Sequence, residues 1–134
     1  MKPSTMPAAI FNISLSEKRW ACGTHLGVLL LAFLTSWVAG VAGALGAGIV
    51  LLMRPLDSDF VAQHAREALN FNMSMFIYMI MGSILAVLTL GIGLIALIPL
   101  GILLAVVWLV CSIQAAIAAN DGLPYQYPFT LRIF

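Results

Sequence analysis

The sequence predicts an all-α integral membrane protein: a small bundle of four membrane segments, the first two short. Three observations predict it. First, residues 20–53 and 68–120 contain no Asp, Glu, Lys or Arg. As helix they would reach on the order of 51 and 80 Å, against a hydrocarbon core of roughly 30 Å. Second, the 134-residue chain is 63% hydrophobic and 8% charged, with a mean hydropathy of +1.09. Soluble domains carry about 25% charged residues. Third, the charges that do occur gather near the ends and in one central stretch, where a membrane protein keeps its loops.

The elements follow in order. Residues 1–18 form a polar N-terminal tail. Lys18 and Arg19 then precede an apolar run, and Ala42-Gly43-Ala44 is similar to a signal cleavage site. The run continues without a polar break to Met53, so it reads as retained membrane sequence. Two readings of residues 20–53 compete. One crossing would set Lys2, Lys18 and Arg19 against Arg54, Arg66 and Arg132, which gives no orientation. Two crossings, turning at Ser36-Trp37-Val38-Ala39-Gly40, put all six basic residues on one face. The positive-inside rule selects the hairpin and places that face in the cytoplasm. Three crossings in total are the alternative. The two passes are short, so Trp20 and Arg54 sit in the interface.

Gly40, Gly43, Gly46, Ala47 and Gly48 suit close helix packing. Pro55 ends this segment, and Asp57 or Ser58 caps the next helix. That helix begins at the interface over residues 57–68 and runs from about Phe60 to Leu90. Thr89 to Gly93 with Pro99 marks a break. The last helix runs from about Ile98 to Ala119, ends at Asn120-Asp121-Gly122, and leads into a tail over residues 120–134. The bundle thus occupies residues 19–119.

Several runs resemble the Tic-twenty-like family, bacterial relatives of a chloroplast inner-envelope import component. They are Glu17-Lys18-Arg19-Trp20-Ala21 with His25-Leu26, then Phe60-Val61 and His64 to Phe71, then Ala116 to Gly122, and Tyr125-Gln126-Tyr127-Pro128-Phe129-Thr130. The resemblance covers about residues 16–134. It implies four membrane helices with both termini on one side, a bacterial inner-membrane location, and an association with protein translocation without catalysis. The chain departs from the family in its first window, where only Gly is available to form the break.

Gln63, Glu67, Asn70, Ser74 and Tyr78 fall on one helical stripe, with His64 beside it. Polar groups on a membrane helix should face protein or a hydrated path. The stripe is therefore the candidate contact site. His25 is expected to hydrogen-bond between helix ends, and Trp20, Tyr125 and Tyr127 to anchor at the interface. Cys22 and Cys111 read as packing residues, as do Met73, Met75, Met79 and Met81. Gly91-Ile92-Gly93 is a turn, since no strand precedes it and no Lys follows. No catalytic constellation is present, and no cofactor or metal is expected.

A net charge of +1 offers no basic face for nucleic acid. The expected partners are the lipid bilayer and either another membrane protein or a second copy. The expected role is that of a non-catalytic accessory or scaffold subunit. A transport component whose path is lined by the stripe is the alternative.

Overall fold

A computed structural model describes residues 13–35, 39–53 and 58–134. It contains four helices: α1 (Leu15–Thr35), α2 (Ala39–Met53), α3 (Asp59–Leu88) and α4 (Leu94–Asp121). No strand occurs among the described residues. Arg54 to Asp57 and Ser36 to Val38, to which the sequence assigns a cap and a turn, lie outside them.

α1 starts four residues before the expected bundle edge because Ser14 and Glu17 form a capping box. The Glu17 N–H donates to Ser14 Oγ at 3.2 Å, and the Ser14 N–H donates to Glu17 Oε2 at 2.8 Å. Ser58 caps α3, its Oγ accepting from the Val61 N–H at 3.4 Å. The same hydroxyl donates to Glu17 Oε1 at 2.6 Å, so one carboxylate joins the N-termini of α1 and α3.

α3 stops at Thr89, where Leu90 and Gly91 turn left-handed at φ 52 and 85. α4 begins at Leu94, earlier than the expected Ile98. Pro99 lies in its second turn, where the missing N–H forfeits a single bond and the helix tolerates it. At the other end Gly122, at φ 78, closes the helix while the Leu123 N–H reaches Ala118 O at 2.8 Å.

The core lies at one end. Its buried side chains come from Ala21, Thr24, His25 and Val28 of α1, Ala44 and Ala47 of α2, Val61 to Ser74 of α3, and Cys111 to Ala119 of α4. No residue from Met75 to Val110 is buried. α2 meets α1 and α3 through small residues, with Ala47 against Val28 and Ala68. At Gly43 a Cβ would strike the Asn72 side chain and approach Val28 Cγ1 to 2.9 Å. Only backbone without a side chain fits there.

Two helices, α3 and α4, are long and apolar enough to cross a membrane. α2, with 15 residues, reaches only about 22 Å. α1 has 21 residues, but its first turns carry Glu17, Lys18 and Arg19.

Candidate functional site

The polar stripe of α3 receives the C-terminal tail. Asn70 Oδ1 accepts the N–H groups of Ile133 at 3.1 Å and Phe134 at 3.0 Å, and Asn70 Nδ2 donates to Phe134 O at 3.0 Å. Ser74 Oγ accepts the Leu131 N–H at 2.8 Å and donates to Asn70 O at 2.7 Å. Tyr78 donates to Phe129 O at 2.8 Å. Glu67 accepts the Tyr127 N–H at 3.2 Å and faces Arg132 at 3.6 Å.

This order fixes the path of the tail. It ascends past Glu67, reverses at Phe129 (φ 56) beside Tyr78, and descends past Ser74 to Asn70. Extended backbone has no partner of its own in an apolar setting, and α3 supplies the missing donors and acceptors. Gln63 does not join in; it is exposed one turn before Glu67.

Below the stripe, the two histidines meet. His25 Nε2 lies 2.8 Å from His64 Nδ1, His64 Nε2 lies 3.2 Å from Leu123 O, and the Tyr127 hydroxyl lies 2.9 Å from His25 Nδ1. Elementary valence orders these protons. A carbonyl only accepts, so His64 Nε2 carries its proton and, in an uncharged ring, Nδ1 accepts. His25 Nε2 therefore donates, His25 Nδ1 accepts, and Tyr127 donates.

The interfacial anchors divide. Trp20 is exposed. Tyr125 is partly buried and donates to Gln114 Oε1 at 3.1 Å. Tyr127 is not at the surface: it is 4% exposed and stacks on Phe71 with ring centroids 4.1 Å apart. Its hydroxyl is satisfied by His25 rather than by water, and this is what lets it enter the core.

The sequence reading missed Asn72, which is fully buried. Its Nδ2 donates to Ala68 O at 2.8 Å, and its Oδ1 accepts from Trp108 Nε1 at 3.3 Å while facing Gly43. It links α3 to α4 and lies against Gly43 of α2. The signal was the Asn-Phe-Asn run, whose second Asn lies off the stripe. Among the described residues, no buried side-chain nitrogen or oxygen lacks a partner. No group of three or more His, Cys, Asp or Glu among the described residues could share a metal ion.

A family model described as the magnetosome magnetite crystal formation protein family (MamF/MmsF) matches residues 16–134. The chain belongs to that family. No curated protein and no solved structure matches it. The finding corrects the resemblance to the Tic-twenty-like family. In the MamF/MmsF chain, the runs that suggested the resemblance serve internal packing: His64 to Phe71 carries the histidine pair and the tail's partners, and Tyr125 to Thr130 is the tail itself. The translocation role and the inner-membrane address drawn from that resemblance lose their support with it. Three of the groups expected to line a transport path, Asn70, Ser74 and Tyr78, are instead occupied by the chain's own backbone.

Proposed function

We propose that this protein is a non-catalytic, membrane-embedded component of magnetite crystal formation, held in the magnetosome bilayer by the α3–α4 hairpin. The observation that carries the reading is the family match over residues 16–134. The geometry supports the membrane part. From Ala68 to Leu88 α3 is uncharged and on the order of 31 Å long, the thickness of a hydrocarbon core. The outward faces of both helices, with Met79, Ile84 and Val87 on α3 and Ile95 and Ile102 on α4, are exposed and apolar, as lipid contact requires.

The charged end carries Lys18, Arg19, Arg66 and Arg132 and faces the cytoplasm; the uncharged turn at 89–93 faces the opposite compartment. The polar groups of the core are paired with one another, which supports a scaffold rather than an enzyme. The lipid-facing helices also offer a surface for a second copy or another membrane protein. The test is to remove the chain from a magnetite-forming cell and measure crystal dimensions by electron microscopy, with and without restored wild-type protein. Altered crystals that recover on restoration are expected. Crystals identical in number, size and form would overturn the proposal.

A further inference from the structure

We propose that the protein is a leaflet-selective wedge: α1, α2 and the tail fill only the half of the bilayer on the basic side, so the molecule favours membrane curved with that leaflet convex. The inference rests on the reading of α3 and α4 as spans and goes beyond it.

Depth can be measured along α3 from Ala68, the first residue after its last charge. Gly43 of α2 abuts Asn72, about 6 Å into the core, and α2 begins four residues further in, at Ala39, about 12 Å deep. The tail reverses at Phe129 beside Tyr78, about 15 Å deep. Both intrusions therefore end near the midplane of a core roughly 30 Å thick. Burial gives the same boundary independently: nothing from Met75 to Val110 is buried, so neither α1 and α2 nor the tail covers the far halves of α3 and α4.

Non-helical backbone is tolerated at that depth where protein satisfies it, and Asn70, Ser74 and Tyr78 do so for the Leu131, Ile133 and Phe134 amides and the Phe129 and Phe134 carbonyls. The outer side of the tail exposes Phe129, Leu131, Ile133 and Phe134, continuing the apolar faces of α3 and α4, while Arg132 between them reaches Glu67 at the charged end; the occupant of the apolar part is lipid. One leaflet thus accommodates four helices and a doubled-back segment, and the other accommodates two helices. Each helix is about 10 Å across, so the cross-section differs about twofold. Material inserted into one leaflet expands it against the other, and the strain falls when the wider leaflet is on the outside of a bend.

The test uses full-length protein in giant vesicles, in a C22S/C111A background. A dye on Arg19→Cys reports orientation through quenching by an impermeant reagent. Thin tubes are pulled, and the density on each tube is compared with that on its parent vesicle. Molecules with the basic end outward should show a tube-to-vesicle ratio above one that rises as the tube narrows; those with it inward should be depleted. A ratio of one in both orientations overturns the proposal.

Spin labels at Arg19→Cys, Ile92→Cys, Ala39→Cys and Phe129→Cys, read by oxygen and nickel accessibility, distinguish failure of the wedge from failure of the spans. The first pair should lie at opposite interfaces and the second pair near the midplane. An Ala39 label at the Ile92 interface overturns the wedge and leaves the spans standing. Arg19 and Ile92 labels at one interface overturn both.

Discussion

Asn70 offers a direct measure of what holds the tail. Asn70→Ala removes three hydrogen bonds, two accepted from the Ile133 and Phe134 amides and one donated to Phe134 O. In membrane proteins such bonds average about 0.6 kcal/mol each, so the loss comes to about 2 kcal/mol. That is roughly a thirtyfold change in the equilibrium between docked and released tail. The assay is hydrogen–deuterium exchange of the tail amides in detergent or lipid, where local opening sets the rate. Exchange at residues 131–134 should accelerate about thirtyfold, while helical circular dichroism stays unchanged. Asn70→Asp keeps both accepting positions and loses the donor, so it should fall between Ala and wild type. Unchanged protection in Asn70→Ala would refute the docking argument, because no other side chain takes over these amides.

Other expectations follow from the same geometry. Gly43→Ala should lower thermal stability by about 1–3 kcal/mol through overpacking against Asn72 and Val28. Gly23→Ala and Gly27→Ala, where nothing stands within 4 Å, should hold or gain up to about 1 kcal/mol; equal melting shifts in all three would contradict the packing. Nitrogen NMR should find His25 and His64 both protonated at Nε2, and a proton on His25 Nδ1 would break the assigned order. Tyr127→Phe leaves His25 Nδ1 without a donor and should cost about 1–3 kcal/mol in chemical denaturation. The Ser58 hydroxyl, and after it Ser14, holds the Glu17 carboxyl below its usual range. The folded state therefore binds this proton less readily than the unfolded state does. The associated stability is present above the ordinary carboxylate pKa and is lost as pH falls through the lowered one. Thermal melts of Glu17→Gln should lack that part of the acid-side decline.

The strength of the sequence reading lay in α3 and α4, where long uncharged runs, a serine cap and Gly122 mark the ends within a few residues. It was weaker in the first window for a definable reason. Charge placement requires only that Arg54 return to the side of Arg19, and a hairpin that turns back midway satisfies this as well as one that crosses twice. Helix length and the register of Gly43 on Asn72 favour the half-depth hairpin proposed above, and register is a tertiary fact. The stripe on α3 was visible as a period, but its partner lies about sixty residues away in a segment with no period of its own. Tyr127 reads as an interfacial residue because nothing local reveals that a histidine from α1 will accept its hydrogen bond.

The turn at the far end of α3 and α4 settles its own polar groups. Thr89 Oγ1 donates to Leu85 O at 2.8 Å and accepts the Gly93 N–H at 3.0 Å, and the loop holds no ionisable side chain. If α3 and α4 span the bilayer as proposed, this tip crosses hydrocarbon without stripping water from an ion, a step that costs heavily for a charged loop. Once across, it presents a small neutral knob. On the proposed topology, the charged side chains of the described residues all lie toward the opposite end of the helices.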